Sequence, residues 1–367
     1  MPVSSLIDHD RAGIDQILLR SMRCRSSERS GPRATPTRTA LLEARAGRRA
    51  NLTSGRHSAV RRLAVVREAE RLLSGRDYLA AAVDLLHRVR ASHPTAGVWE
   101  AADPEWWWRK PRPTDEWDQL FWFVDEQPIA AAIATDWAGR LGLDIIILPD
   151  ASDAVVTEVV HRGVEHTASA PFDRIESLVA DADPVVASLL TDAGFVRAPG
   201  TGTSAWMSTQ DRPPVAPLAA GYRLAASDES SDRPHHYIDR NGPGVEQRLS
   251  ETSLYRSGLD LSVVDLAGEI VAHGLFWWDP ITAVGFVEPL GTDEAHRRSG
   301  LARHLLTAGL DRLASLGAER LKINYENDNP SSARLYQDVG FVPTMTTSLY
   351  VSIDKKRRPD RTYREGR

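Results

Sequence analysis

The sequence predicts an α/β protein that contains one fold twice. Strand-like and helix-like patterns follow each other in the same order before and after a proline-rich linker, residues 211–221, which contains RPPVAPLAAG. Residues 317–342 also align without a gap on residues 171–196, at a constant offset of 146. A chain of 367 residues is long enough for two domains of common size.

The first half opens with helical patterns and continues with strands. Apolar spacing predicts helical runs at residues 65–73 and 78–89. Three apolar runs then predict strands: LFWFV (120–124), IAAAIAT (129–135) and LDIIIL (143–148).

A region dense in tryptophan lies between these helical and strand patterns. Six tryptophans occur within 24 residues, at positions 99, 106, 107, 108, 117 and 122, interleaved with Arg109, Lys110 and Arg112. They either anchor a loop in the core and at the domain interface, because aromatic side chains bury large areas, or form a wall that holds a cationic or sugar ligand. The sequence leaves both interpretations open.

The second half repeats the order of the first. Strands are predicted at residues 261–265, 270–277, 284–291 and 320–325. A helix is predicted to start near Ser299, and a second one to start at Pro330 with Asn329 as its cap.

Eight identities support the duplication. The matched positions of the two halves are Arg174 and Arg320, Pro184 and Pro330, Ala187 and Ala333, Leu189 and Leu335, Asp192 and Asp338, Gly194 and Gly340, Phe195 and Phe341, and Val196 and Val342. Both halves are therefore predicted to fold alike, as domains 63–210 and 222–353.

The two ends of the chain differ from these domains in composition. Residues 1–62 contain thirteen arginines against five acids, which predicts a disordered extension, and residues 354–367 form a basic tail. The single cysteine, Cys24, lies in that extension and is not expected to be catalytic.

Composition excludes several classes of protein. A net charge of -5 and a pI near 6.1 give no reason to expect nucleic acid as a partner, and no apolar run is long enough for a membrane span. His161 with His166, and His235 with His236, lack a third ligand in the sequence, so no metal site is expected. We expect a cytoplasmic protein, and the sequence does not specify its oligomeric state.

The stretch HRRSGLA, residues 296–302, predicts an anion site at the start of a helix. Free backbone N–H groups at a helix start carry partial positive charge, and a glycine lets a phosphate approach the backbone closely. Arg297 and Arg298 add cationic charge, and Ser299 adds a hydroxyl. A solvated basic turn before an ordinary helix is the competing interpretation.

A second motif makes the sequence resemble the GNAT superfamily of N-acetyltransferases. HRRSGLA resembles the acyl-CoA loop of that family at Arg297, Gly300 and Ala302. NPSSARLYQDVGF resembles a second family segment, with matches at Asn329, Ala333, Leu335, Tyr336, Gly340 and Phe341. The resemblance implies two tandem domains, each a mixed, mostly antiparallel sheet with flanking helices and a splayed parallel strand pair.

The resemblance also implies where acetyl-CoA lies. The pantetheine arm would pair with the backbone of Leu290, Gly291 and Thr292, and Asn329 would contact it. The pyrophosphate would rest on backbone amides of the helix start, provided by Arg298, Ser299, Gly300, Leu301 and Ala302, with Arg297 beside them.

Two residues are expected to carry the chemistry. Tyr336 would protonate the leaving thiolate, whose pKa near 8.5 by analogy with cysteine lies below the value of about 10 for a phenol. Glu288 is nominated as the base that deprotonates the amine, because it alternates onto one strand face with Phe286 and Leu290.

The first half is predicted to be degenerate. The offset of 146 places Asp153 and Ala154 opposite Ser299 and Gly300, so an acid and a Cβ replace the phosphate-binding positions. It also places Leu190 opposite Tyr336, and Asp183 opposite Asn329.

The sequence thus predicts an acetyl-CoA-dependent N-acetyltransferase whose acceptor is a small-molecule or peptide primary amine. The alternative is a non-catalytic acyl-CoA-binding or interaction protein.

Overall fold

The computed structural model describes residues 69–229, 235–237 and 241–353. The predictions for the extension 1–62, for Cys24 and for the tail 354–367 lie outside the described residues. Among the described helices, none is both long enough and apolar enough to cross a membrane.

The chain forms two repeats of one strand and helix order. The first repeat comprises β1 (Ala69–Leu73), α1 (Gly75–Ser92), α2 (Ala102–Trp108), β2 (Gln119–Val124), β3 (Gln127–Asp136), β4 (Leu141–Ile147), α3 (Asp153–Ala168), β5 (Arg174–Ala180), α4 (Pro184–Asp192) and β6 (Val196–Ser208). The second repeat comprises β7 (Tyr222–Ala226), α5 (Val245–Ser250), β8 (Asp260–Asp265), β9 (Ile270–Asp279), β10 (Val284–Thr292), α6 (Leu301–Ser315), β11 (Arg320–Glu326), α7 (Pro330–Val339) and β12 (Val342–Ile353).

All twelve described strands belong to one sheet in which the repeats exchange their last strands. The strand order is β1-β2-β3-β4-β5-β12-β6-β11-β10-β9-β8-β7. Strand β12 of the second repeat pairs with β5 of the first, and β6 of the first repeat pairs with β11 of the second. Within this sheet the parallel neighbours are β4 with β5 and β10 with β11, and the other neighbours are antiparallel. The mixed, mostly antiparallel sheet of the sequence prediction is confirmed.

Two local predictions in the first repeat are wrong. The segment Ala69–Leu73 is a strand rather than part of a helix, because it pairs with β2 at the edge of the sheet, where hydrogen bonding between strands overrides the high helical propensity of its residues. The tryptophan-dense region contains helix α2 where a loop was predicted, and Pro104 is compatible with the first turn of that helix. The prediction of a helix at residues 78–89 is confirmed within α1.

The tryptophans of α2 anchor the two repeats to each other. Trp106, Trp107 and Trp108 are 3% to 5% exposed. The Trp106 ring lies 5.3 Å from the ring of Tyr237 and 6.3 Å from that of Trp277, both in the second repeat. These indoles are core and interface anchors, so the interpretation as an open recognition wall is wrong for them.

Polar contacts reinforce this interface. Glu105 of α2 accepts hydrogen bonds from the backbone N–H groups of Ser253 and Leu254, each at 2.8 Å. The fully buried Lys322 of β11 donates to Glu100 at 2.9 Å and to the carbonyl of Val98 at 2.7 Å. The repeats are therefore joined by one apolar core and by buried charge pairs.

Candidate active site

Strands β10 and β11 separate after four paired positions. Their parallel ladder joins Val284 to Arg320 and ends where Val287 meets Ile323. Beyond that point β10 remains paired with β9 through residues 290–292, and β11 remains paired with β6. The facing edges of residues 288–292 and 324–326 therefore line a V-shaped cleft, as the sequence predicts for a splayed pair.

The turn that leads from β10 into α6 leaves its backbone N–H groups free. Arg298 and Gly300 both have positive φ, 62° and 78°, and no side chain caps the start of α6. The first helical bond of α6 runs from His304 N–H to the Gly300 carbonyl at 3.0 Å. Within the described chain, no acceptor binds the N–H groups of residues 298–303.

The side chains of this turn are exposed around those free donors. Arg297, Arg298 and Ser299 are all solvent-exposed, and the Arg297 Nε donates to the carbonyl of Thr292 at 3.4 Å. A Cβ built on Gly300 meets nothing within 4 Å, so the glycine is needed there for its positive φ rather than for space. Free N–H groups with two arginines suit an anion of the size of a pyrophosphate.

Tyr336, on helix α7, packs in the apolar cluster that contains Val287 of β10 and Ile323 of β11, at the base of the cleft. Its side chain is 7% exposed, and its ring packs 5.7 Å from the ring of Tyr325 and 6.5 Å from that of Phe341. Burial raises the pKa of Tyr336, and the negative charge of Glu288 raises it further. The phenol therefore keeps its proton at neutral pH and can donate it.

Asn329 caps helix α7 at the mouth of the cleft. Its Oδ1 accepts from the backbone N–H of Ser332 at 3.2 Å. Because only the oxygen is engaged by described residues, the Nδ2 group could donate to a ligand.

Glu288 stands at the point where the strands separate. The ladder between β10 and β9 is interrupted between Val287 and Leu290, and Trp277 donates from Nε1 to the Glu288 carbonyl at 2.8 Å. The carboxylate is close enough to Tyr336 to contribute to its raised pKa. The structure thus brings together the two residues that the sequence nominates for chemistry.

The first repeat has a corresponding splayed pair with a different helix start. Strands β4 and β5 pair at Leu141 with Ile175 and at Gly142 with Glu176. The cap of α3 is Ser152, whose hydroxyl accepts from the N–H of Val155 at 3.4 Å.

The structural match therefore places Ser152, rather than Ala154, opposite the cap Gly300, and this corrects the gapless loop comparison by two residues. The sequence could not reveal the shift, because few identities mark this turn. Asp153 becomes the first helical residue, so the helix start still carries an acid.

Two other replacements in the first repeat are structural. Leu190 is fully buried in an apolar cluster. Asp183 caps α4 by accepting from the N–H of Val186 at 3.1 Å, as Asn329 does for α7. The substitution at Asp183 therefore keeps the helix cap and removes the amide donor.

A carboxyl group that sequence reasoning missed lies in the first repeat. In the first repeat Ile175 of β5 pairs with Leu141 of β4. Its counterpart in the second repeat, Leu321 of β11, pairs with Gly285 of β10. Leu141 and Gly285 are therefore equivalent positions. Asp144 follows Leu141 by three residues and Glu288 follows Gly285 by three residues, so the two acids are equivalent. The available signal was an acid inside the apolar run LDIIIL.

Asp144 is buried with one oxygen unsatisfied. The residue is only 7% exposed, and its Oδ2 has no hydrogen-bond partner in the described chain. Burial raises the pKa of Asp144 to about 7. The acid is therefore held partly protonated near neutral pH.

Two histidines converge on one buried carboxylate in the second repeat. His235 and His236 contact Asp260 through their Nε2 atoms at 2.7 Å and 3.0 Å, and Tyr255 donates to the same carboxylate at 3.1 Å. The ligand atoms lie within 4.8 Å of one another, a spacing that a metal ion would accept. However, His235 Nδ1 accepts from the N–H of Tyr237 at 3.2 Å, which places the proton of a neutral ring on Nε2. This tautomer fits hydrogen bonding to Asp260 better than metal binding.

Comparison with known proteins connects this geometry to one family. Residues 222–341 match the model of the acetyltransferase (GNAT) family. Mycothiol acetyltransferases of Mycobacteroides abscessus and Corynebacterium aurimucosum are 36% and 39% identical over 67 and 70 residues. These matches span 18% and 19% of this chain and 23% of each relative's length.

Solved structures match over most of the chain. A GCN5-related N-acetyltransferase from Sphaerobacter thermophilus superposes with a TM-score of 0.55 at 16% identity and covers 78% of this chain and 95% of its own. A tandem GNAT protein from the clavulanic acid biosynthesis pathway gives 0.54 at 15% identity and covers 78% and 98%. At such identities the likeness establishes the tandem fold alone.

Proposed function

Because the second repeat carries a domain of the acetyltransferase (GNAT) family, we propose that this chain transfers an acetyl group from acetyl-CoA to a primary amine. The observation that carries the proposal is the V-shaped cleft of β10 and β11, which has free N–H groups at one end and Tyr336 under it. Acetyl transfer is general to this family, and acetyl-CoA is its usual donor.

The donor would be held by backbone and by few side chains. The N–H groups of residues 298–302, together with Arg297 and Arg298, would bind the pyrophosphate. The free edge of residues 290–292 would pair with the amides of the pantetheine arm, and the Asn329 Nδ2 would donate to it. The residues present fit this ligand, since the pyrophosphate and the pantetheine amides would each meet complementary groups.

The chemistry needs one base and one acid. Glu288 takes a proton from the amine, whose nitrogen then forms a bond to the acetyl carbon while the carbon–sulfur bond breaks. Tyr336 gives its proton to the departing thiolate. A positioned general acid contributes about 10² to 10⁴ in rate.

The first repeat is proposed to have no turnover of its own. Its helix start is capped by Ser152 and carries Asp153, and Leu190 replaces the phenol. One acetyl-CoA per chain is therefore expected.

The test combines binding with turnover. Isothermal titration should give one acetyl-CoA site, and a thiol-release assay with a panel of amines, including mycothiol-related amines, should find an acceptor. Tyr336→Phe should retain acetyl-CoA affinity and lose about 10² to 10⁴ in kcat.

The competing function is acyl-CoA binding without transfer. Acetyl-CoA binding with no thiol release from any amine would establish that alternative. Equal kcat for wild type and Tyr336→Phe would remove Tyr336 from the chemistry.

A further inference from the structure

A carboxylate of the first repeat lies next to the candidate catalytic centre of the second. Asp103, in helix α2, is 3% exposed, and its Oδ2 accepts from the backbone N–H of Glu100 at 2.6 Å. Its Oδ1 accepts no hydrogen bond from the described part of the chain. Asp103 thus has one oxygen held by the backbone and one oxygen with no hydrogen bond from the described residues.

Tryptophan packing places helix α2 near Glu288. Asp103 and Trp106 are three residues apart, so they lie on one face of α2. The Trp106 ring packs against Trp277, which donates to the carbonyl of Glu288 at 2.8 Å. The same helix face is therefore directed at the point where β10 and β11 separate.

The nearby cations are directed at a different carboxylate. Arg90 and Lys322 both pair with Glu100. No described cation forms an ion pair with Asp103. Burial is the main reason that the pKa of Asp103 lies well above its ordinary value, and the charges of Glu100 and Glu288 add to it, while Lys322 opposes it. A bound cation would stabilise the ionised form of Asp103.

We propose that Asp103 binds the ammonium group of the acceptor, so that the two repeats build one active site and the acceptor is an amine with no carboxylate beside its amino group. The inference rests on the proposed function. The ammonium would lie between Asp103 and Glu288. Glu288 takes one of its protons, and the nitrogen loses a second proton to the Tyr336 phenolate after it has bonded to the acetyl carbon and the thiolate has left with the phenol's proton. An acceptor that carries an α-carboxylate would be repelled by the negative charges of Asp103 and Glu288 and would therefore be excluded.

Matched pairs of amines and amino acids test this specificity. Thiol release from acetyl-CoA is measured with the full chain and with tyramine and tyrosine, tryptamine and tryptophan, and histamine and histidine. At least one amine should be acetylated with a kcat/KM about 100-fold above that of its amino acid, as expected for like charges a few ångströms apart. Equal rates within every pair that reacts would overturn the inference.

Substitution of Asp103 tests the residue itself. Asp103→Asn should lower kcat/KM for the amines about 10- to 100-fold, mainly through KM, and should reduce the preference over amino acids. Asp103→Glu, which keeps the charge, should retain the preference. The acetyl-CoA affinity should stay unchanged in both variants. An unchanged preference in a folded Asp103→Asn protein would contradict the proposal.

Glu105→Gln is the matched control, because Glu105 is a buried acid of the same helix that binds Ser253 and Leu254 instead. It should lower the melting temperature without changing the preference. Loss of preference in this variant as well would show that the effect of Asp103 is structural.

Two outcomes with wild type distinguish failure of the transferase function from failure of the role given to Asp103. If wild type binds acetyl-CoA and releases no thiol with any amine, the transferase function fails and this inference fails with it. If wild type acetylates amines without discrimination, only the inference fails.

Discussion

Asp144 and Glu288 occupy the same position in the two splayed strand pairs, one in each repeat. In the second repeat the carboxylate raises the pKa of Tyr336, whereas in the first it is buried with one oxygen that no described residue hydrogen-bonds. The duplication has thus kept a carboxyl group at a point where only one copy has the other parts of the site. A buried acid without a compensating contact destabilises the fold when it ionises.

Replacing Asp144 should change how stability depends on pH. Its pKa is raised from 3.8 to about 7 by burial, so the folded state binds the proton more tightly than the unfolded state. The contribution of this proton to the free energy of unfolding is complete below about pH 4 and is lost as the pH rises through about 7. Asp144→Asn should therefore be more stable than wild type at pH 8 by up to roughly 4 kcal/mol, the equivalent of three pKa units.

Denaturant unfolding at pH 5 and pH 8 measures this difference. Asp118→Asn, at an exposed position of the same repeat, is the control and should leave the pH dependence unchanged. An equal stability gain of Asp144→Asn at both pH values would contradict the assignment.

Gly300→Ala should weaken acetyl-CoA binding. Alanine at a φ of 78° costs about 1 kcal/mol or more, and the turn can relieve this strain by rotating its N–H groups away from the ligand. Gly194→Ala carries a similar backbone cost in the first repeat, at a φ of 90° and with no atom within 4 Å. Isothermal titration should show an affinity loss of tenfold or more for Gly300→Ala alone, and equal affinities of the two variants would argue against the pyrophosphate site.

Asn329→Asp should separate helix capping from ligand contact. Asp183 shows that an aspartate caps the equivalent helix, so the melting temperature of the variant should stay close to that of wild type. The lost Nδ2 donor and the added charge should raise the KM for acetyl-CoA several-fold. Asn329→Ala, which loses cap and donor together, should show both defects; a normal KM in both variants would exclude the contact.

Lys322→Met should destabilise the joined repeats. Removal of the fully buried ammonium leaves the carbonyl of Val98 without its donor, while Glu100 keeps its pair with Arg90. Leaving that buried carbonyl unsatisfied costs about 1 to 3 kcal/mol. Denaturant unfolding should show this loss, and the exposed pair of Arg71 with Glu126 offers a control, since water and salt screen that pair and Arg71→Met should leave the stability almost unchanged.

Local patterns were sufficient for much of the fold. The strands at 120–124, 143–148 and 284–291 were predictable because mainly apolar runs of that length, with a single acid in each of the last two, fit buried strands. Residues 69–73 were not, since their strand exists through pairing with β2, and pairing across fifty residues leaves no mark on a five-residue pattern.

The residues of the candidate site were likewise predictable only in part. The free donors around Gly300 and the cap at Asn329 follow from short motifs. Asp103 and Asp144 could not be predicted, because their settings depend on which helix faces which strand and on whether a cation reaches them. The boundaries 63–210 and 222–353 stay a prediction, although the exchange of β6 and β12 shows that contacts cross them.

The exchanged strands set an order of events at the ribosome. While the second half is still being translated, one edge of β5 lacks its native partner, because that partner, β12, is the last strand to be synthesised. Strand β6 likewise has no neighbour until β11 has been synthesised. Neither half can close its sheet alone, so the nascent first half exposes unpaired backbone that invites chaperones or aggregation until translation of the final strand.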